Sequence, residues 1–201
     1  ELIKSLDTDK QAAILTIVLS DRKVFIEALA GKGKEYIKVV LESSLCKQLD
    51  YTQQLTLFTR IEQHGTLPLF VAIKQNTSEN LHTFIDSNIF KQFPRINKET
   101  LLKQIDNNGK TILHHVALKG SKYIKVIFDS ELFNSLEQEQ IYSLFIQKDN
   151  NDFIPLQNII SVAHKNNDTN AIKAYLKSNS FTLLSEQQKE LQRELELEDW
   201  K

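Results

Sequence analysis

The apolar positions of this chain follow the spacing of amphipathic helices. Val116 and Ala117 follow Leu113 at three and four positions, and a second helical pattern covers 123–128 after Gly120. Glycine is a common helix stop, so these two segments predict a helical hairpin. Sustained alternation of apolar and polar residues, the pattern of a half-buried strand, is absent from the sequence. We therefore expect an all-α fold.

The hairpin pattern recurs with a period of about 43 residues. Residues 33–43 are similar to residues 120–130, which lie 87 residues later, with six of eleven residues identical, and 149–156 matches 106–113 at four of eight positions. One apolar position marks the equivalent point of each copy, at spacings of 43, 44 and 43 residues: Ile26, Leu69, Leu113 and Leu156. A fixed period of this length is typical of repeat architectures, in which each unit buries its apolar face only against its neighbours.

The period divides the chain into successive units of a single solenoid domain, 1–201. Four repeats are expected, at 19–61, 62–105, 106–148 and 149–185. Residues 1–18 are expected to be the tail of a preceding repeat, and residues 186–201 a C-terminal capping or connecting helix. Because the sequence begins at Glu1 and contains no methionine, we also expect it to be part of a longer protein.

The later part of each unit predicts a short third helix. A side chain suited to helix capping is followed three positions later by glutamine in four places: Thr8 with Gln11, Asp50 with Gln53, Ser135 with Gln138, and Ser185 with Gln188. This spacing satisfies two backbone amides that the start of a helix otherwise leaves without partners.

Residues 106–120, with the sequence DNNGKTILHHVALKG, resemble the ankyrin-repeat signature D-x-x-G-x-T-P-L-H-x-A-A-x-x-G. They depart from it at Ile112, where the family usually has proline, and at Val116, where it has alanine. The second unit keeps Gly65 with a Pro-Leu pair, the fourth keeps Pro-Leu, and the first keeps only apolar residues. The resemblance covers roughly residues 19–185.

This resemblance implies an ankyrin-like α-helical repeat solenoid with an added short third helix per repeat. Ankyrin units are about 33 residues long, and the third helix accounts for the excess. Such long units, rich in lysine and asparagine, resemble those of effector proteins from intracellular bacteria.

Composition and charge narrow the classes of partner. Hydrophobic residues make up 41% of the chain and charged residues 25%, as in ordinary folded domains. The formal net charge of -1 gives no general attraction to nucleic acid, and no apolar run is long enough for a membrane span. A single cysteine, Cys46, excludes an internal disulfide. We expect a cytoplasmic location, which is the host-cell cytosol if the protein is an injected bacterial effector.

Candidate catalytic residues do not form a constellation. Neighbours on a helix point about 100° apart, so His114 and His115 cannot both face one metal ion or substrate atom. The ankyrin histidine falls at His114, where the resemblance implies a hydrogen bond that ties its loop to the next unit. Cys46 occupies the apolar position of Phe90 and Phe133 and is expected to fill the core. We therefore expect no enzyme, cofactor or metal site; the alternative is an enzyme with a cleft around the two histidines.

The resemblance implies that the loop tips and first helices form a face that contacts another protein. By their phase in the repeat, the residues of this face are Lys23, Lys32, Lys74, Gln75, Asn107, Asn108, Lys110, Leu118, Lys119, Asn150, Asn151 and Phe153. Lysine and asparagine dominate, which favours a partner with an acidic surface. We expect a protein–protein interaction module that supplies target recognition within a larger protein. Binding of lipid or nucleic acid along the lysines is the remaining alternative.

Overall fold

The computed structural model describes residues 33–59, 68–74, 77–166 and 169–176. These residues form thirteen helices and no strand, so the predicted all-α class is confirmed for them. None of these helices has both the length and the apolar character needed to cross a bilayer. The chain divides into two compact units, Glu1–Asn97 and Lys98–Lys201. The predicted tail at 1–18 and the predicted terminal helix at 186–201 lie outside the described residues.

The first compact unit holds helices from two successive repeats. The first repeat supplies α1 (Lys34–Leu41), α2 (Ser44–Gln48) and α3 (Tyr51–Thr59). The second supplies α4 (Pro68–Lys74), α5 (Ser78–Ile85), α6 (Asn88–Gln92) and α7 (Arg95–Leu102), and the division between the units falls within α7. Helix α1 packs against α5, its counterpart one repeat later, and α4 pairs with α5 as a hairpin.

Four phenylalanines form an aromatic cluster in the first unit. Phe58 of α3 lies 4.8 Å from Phe90, 6.2 Å from Phe84 and 6.4 Å from Phe93, measured between ring centroids. All four rings are at most 3% exposed. Their tilted and edge-to-face arrangement is the one that aromatic pairs prefer. Burial of these rings joins the first repeat to the second.

The second compact unit holds the next two hairpins. The third repeat supplies α8 (Ile112–Lys119), α9 (Ser121–Phe128), α10 (Glu131–Asn134) and α11 (Gln138–Phe145); the fourth supplies α12 (Pro155–Asn166) and α13 (Thr169–Leu176). Helix α8 packs on α12 and α9 packs on α13, so one hairpin lies against the next. Gly120, with a φ of 91°, separates α8 from α9, as the sequence predicted.

Residues at equivalent positions of the repeat occupy equivalent places in the structure. Leu69, Leu113 and Leu156 are each the second residue of their helix and are at most 2% exposed. The third residue of the short helices α2, α6 and α10 is also buried in each case: Cys46, Phe90 and Phe133. The predicted core position of Cys46 is therefore confirmed. Ile26 lies outside the described residues.

In the first three repeats, the second helix of the hairpin is followed by two helices where the sequence predicted one. In the first three repeats a helix of four or five residues, α2, α6 or α10, comes first. A helix of eight or nine residues, α3, α7 or α11, follows it. The prediction of one added helix per repeat was wrong because a helix of a single turn is too short to show apolar periodicity.

One predicted capping box is present and another is not. The backbone amide of Asp50 donates to Gln53 Oε1 at 3.0 Å, and the amide of Gln53 donates to Asp50 Oδ1 at 2.8 Å. The predicted box of Ser135 and Gln138 was wrong, since α11 begins two residues later with Glu137 as its N-cap. Ser135 still has the helical backbone of the end of α10, whereas an N-cap residue needs an extended one. The boxes predicted at 8–11 and 185–188 lie outside the described residues.

Candidate binding surface at the loop tips

One carboxylate organises the loop that precedes α8. Asp106 Oδ1 accepts hydrogen bonds from the backbone amides of Asn108 at 2.8 Å and Lys110 at 3.0 Å. Asp106 Oδ2 lies 3.0 Å from His115 Nε2. Burial by itself would raise the pKa of Asp106, but the two amides and His115 outweigh it and hold that pKa below its ordinary value. Asp106 is therefore an ionised anchor for this loop at neutral pH.

The loop that precedes α12, 43 residues later, has the same construction. Asp149 Oδ1 accepts hydrogen bonds from the amides of Asn151 at 2.8 Å and Phe153 at 3.1 Å. Asp152 has a φ of 66° and Gly109 a φ of 72°, so both loops contain a left-handed residue at the same place. The two aspartates were not among the predicted site residues. Their recurrence at the repeat interval, and the preference of aspartate for such turns, could have identified them.

Hydrogen bonds join the two loops. The backbone amide of Asn150 donates to the carbonyl oxygen of Asn108 at 2.9 Å, and Asn150 Nδ2 donates to the carbonyl oxygen of Asn107 at 3.1 Å. The side chain of Asn150 is thus engaged in the contact between loops. Asn107 and Asn108 take part through backbone oxygens, and their side chains are exposed.

The ring of His114 connects α8 to the second loop. Its Nδ1 accepts a hydrogen bond from the amide of Thr111 at 3.1 Å, and its Nε2 donates to the carbonyl oxygen of Phe153 at 2.9 Å. A backbone amide can only donate, so Nδ1 is the unprotonated nitrogen of a neutral ring. Burial lowers the pKa of His114 below 6.5, which favours the same neutral form. The ankyrin resemblance implied a tie of this kind at His114.

The other two candidate catalytic residues face different surroundings. His115 contacts Asp106, away from the partners of His114, as the geometry of neighbouring helical residues predicts. Cys46 is 1% exposed, and burial raises the pKa of its thiol. Within the described ranges, no three side chains of the types that hold metal ions form a group.

The residues predicted to contact a partner differ in exposure. Those exposed in the structure are Lys74, Asn107, Asn108, Leu118, Lys119, Asn150, Asn151 and Phe153. Lys74 belongs to the first compact unit and the others to the second. Lys110 is half-buried, and the other three predicted positions, Lys23, Lys32 and Gln75, lie outside the described residues.

Lys110 forms a long ion pair with a buried carboxylate. Its side chain is 22% exposed, and its Nζ lies 3.9 Å from Oδ2 of Asp149, whose side chain is 1% exposed. Part of its positive charge is therefore offset within the protein. This part of the surface is less basic than a count of its lysines predicted.

Comparison with known proteins leaves this surface unassigned. No family model, curated protein or solved structure matches the chain. The surface is therefore described from the structure alone. It consists of the two loops organised by Asp106 and Asp149, which are joined through Asn150 and carry side chains exposed to solvent.

Proposed function

We propose that this chain is a protein-binding module, built from ankyrin-like helical units, that recognises its target through the loop tips and the ends of the first helices. One observation carries the proposal. Two successive loops hold the same conformation around Asp106 and Asp149 and are hydrogen-bonded to each other, while neighbouring side chains remain exposed.

Fixed loops favour binding because little conformational entropy is lost when a partner docks. The aspartates and Asn150 already hold the backbone of both loops. Such a frame fixes the backbone positions from which the exposed side chains extend.

The chemistry of the exposed side chains suits a protein surface. Phe153 is 48% exposed and Leu118 is 41% exposed, and large apolar side chains of this kind act as anchors in protein interfaces. The amides of Asn107, Asn108 and Asn151 supply hydrogen-bonding groups, and Lys119 adds a positive charge. A complementary partner would offer an apolar recess, polar groups beside it and an acidic residue opposite Lys119.

Exposed apolar side chains of the second compact unit provide the test. The variants Phe153→Ser and Leu118→Ser remove the proposed anchors, and Ile146→Ser, at a residue 44% exposed at the end of α11, is the matched control. Proteins captured from a lysate of the source cells are identified for each variant. We expect a partner that Ile146→Ser retains and both anchor variants lose. Retention by all three variants, or loss by all three, would refute the proposal.

A further inference from the structure

A cleft of about 610 Å³ lies in the first compact unit, where α1, α2 and α3 face α5 and α6. Its volume is in the range of ligand-binding clefts. The buried side chains of Leu41, Gln54 and Ile89 line it, together with three lysines and two carboxylates. The cleft therefore combines a small apolar surface with a slight excess of positive charge.

Gln54 contributes a buried acceptor that no described residue uses. The residue is 7% exposed, and its Nε2 donates to the carbonyl oxygens of Cys46 at 2.9 Å and Leu49 at 3.0 Å. These two bonds fix the orientation of the amide. Its Oε1 is buried and has no hydrogen-bond partner among the described residues. A buried amide oxygen in this state is unfavourable until a donor reaches it.

Ser87 differs from its counterparts in the first and third repeats. The hydroxyls of Ser43 and Ser130 donate to the carbonyl oxygens of Val40 and Ile127 at 2.6 and 2.5 Å. Both also accept a hydrogen bond from the amide three residues later, which caps the short helix. The Ser87 hydroxyl caps nothing and is buried without a partner in the described part of the chain. The second repeat thus places an unused hydroxyl at this cleft.

Lys47 differs from its counterpart in the second repeat. Lys91 Nζ lies 2.6 Å from Asp86 Oδ1. The acid equivalent to Asp86 is Glu42, which lies 4.0 Å from Lys38 Nζ. Lys47, exposed near the end of α2, has no ion-pair partner within the described residues. Among the described residues, the lining of the cleft therefore includes a cation without an ion-pair partner and two polar atoms without a hydrogen-bond partner.

We propose that this cleft binds an extended, acidic peptide segment of a partner protein. A backbone N–H of the segment donates to Gln54 Oε1, another polar group of its backbone pairs with the Ser87 hydroxyl, and a carboxylate pairs with Lys47. An extended peptide suits these three groups because it carries backbone donors and acceptors beside its charged side chains. The inference rests on the proposed function as a protein-binding module but uses a different surface.

Two libraries of short, end-blocked peptides test this inference on the immobilised full chain. One library has Asp or Glu at a fixed position, and the other has Asn or Gln there. We expect the acidic library to be retained preferentially, and the double variant Lys47→Gln, Ser87→Ala to lose about tenfold in retention. The inference would be overturned if the unaltered protein retained both libraries equally. It would also be overturned if the double variant retained the acidic library as well as the unaltered protein does. Release of the bound peptides by inorganic phosphate alone would also overturn it, since it would show a simple anion site.

Thermal unfolding separates a binding role of Ser87 from a structural one. Because no described residue pairs with its hydroxyl, Ser87→Ala should leave the unfolding midpoint unchanged or raise it slightly, whereas Ser43→Ala and Ser130→Ala remove a helix cap and should lower it. An equal drop for all three variants would show that Ser87 is a cap like the others and would count against the cleft.

The two experiments test the proposed cleft and the proposed loop-tip interface independently. If Phe153→Ser and Leu118→Ser abolish partner capture while the cleft variant retains peptides like the unaltered protein, the inference is wrong and the proposed function stands. If the cleft variant alone loses its acidic peptides and both anchor variants still capture the partner, the proposed interface is wrong and the cleft stands.

Discussion

Gly109 and Asp152 adopt one left-handed backbone conformation, with φ values of 72° and 66°, at positions 43 residues apart. Each lies in a loop organised by an aspartate, but their surroundings differ. A Cβ added at Gly109 would lie 2.9 Å from the backbone nitrogen of Asn150, closer than such atoms approach. Glycine is therefore required at 109 by conformation and by space, whereas at 152 another residue is accommodated.

Substitution of the two left-handed residues should have unequal effects. We expect Gly109→Ala to lower the free energy of unfolding by about 2 kcal/mol or more, because it adds left-handed strain and displaces the Asn150 loop. Asp152→Gly should change that free energy by less than about 1 kcal/mol, since relief of strain is offset by a more flexible unfolded chain. Urea denaturation of both variants measures the difference. Equal effects would show that the approach of Asn150 is unimportant.

The hydrogen bonds of His114 should contribute measurably to stability. We expect His114→Ala to lower the free energy of unfolding by about 2–3 kcal/mol, because it leaves the buried amide of Thr111 without a partner and removes one of the two hydrogen bonds that the carbonyl oxygen of Phe153 accepts. The control follows from the next repeat, where Gln157 and Ile154 are equivalent to His114 and Thr111. There Gln157 accepts a hydrogen bond from the amide of Ile154 at 2.9 Å. His114→Gln should therefore keep the helix cap and lose less. Equal losses for alanine and glutamine would contradict this account.

Stability should fall with pH below about 6.5 because of His114. Its pKa in the folded protein is depressed, mainly by burial, so the unfolded chain takes up the proton first as the pH falls. The contribution of the neutral ring is thus complete above 6.5 and is lost as the pH falls through the depressed pKa. Denaturation midpoints measured across this range should decline less in His114→Gln than in the unaltered protein. Parallel profiles would refute the assignment.

Asp106 should make a second contribution at lower pH. Its folded pKa lies below 3.8, so the stabilising hydrogen bonds to its carboxylate persist to more acidic conditions and are lost only as the pH falls through that depressed value. The fall in stability due to His114 is therefore expected to begin at a higher pH than the fall due to Asp106.

Lys98 should be replaceable by an apolar residue. It is 4% exposed, and its Nζ lies 3.7 Å from Glu131 Oε1, a long distance for an ion pair. The equivalent positions in the neighbouring repeats hold Gln54 and Ile141, which are also buried. We expect Lys98→Ile to leave the free energy of unfolding unchanged or to raise it by up to about 2 kcal/mol.

Reversal of the charge provides the contrasting variant at this position. Lys98→Glu should lower the free energy of unfolding by about 3 kcal/mol or more, because it buries a carboxylate near Glu131. Calorimetric unfolding of both variants checks the pair. A large loss of stability in Lys98→Ile would mean that the ammonium group itself is needed.

The sequence was sufficient to predict the features that depend on residue spacing. The buried leucines, the stop at Gly120, the core position of Cys46 and the Asp50 cap each follow from periodicity or a local motif, and the structure contains them. The single-turn helices could not be predicted in this way, because four or five residues show no periodicity. The start of α11 was also missed, because its N-cap is Glu137, and glutamate is not among the residue types that the capping pattern uses.

The contacts between repeats lay beyond prediction for a different reason. Lys110 meets Asp149, and Asn150 meets Asn107, across two loops that a whole repeat separates in the chain. Residue spacing places such residues on the same face but does not specify which atoms meet. Spacing therefore predicts that Lys110 contacts another protein, whereas in the structure it lies near the buried carboxylate of Asp149.

The loops are fastened to each other largely through main-chain oxygens. Since the carbonyls of Asn107 and Asn108 accept those bonds, the side chains at these positions can be exchanged while the bonds that hold the loop are kept. The side chains that the loop exposes and the backbone atoms that hold the loop in position are thus different, so one set can change without the other. Such a separation is what a designer of binding scaffolds seeks, and residues 107, 108 and 151 are natural places to introduce diversity for new targets.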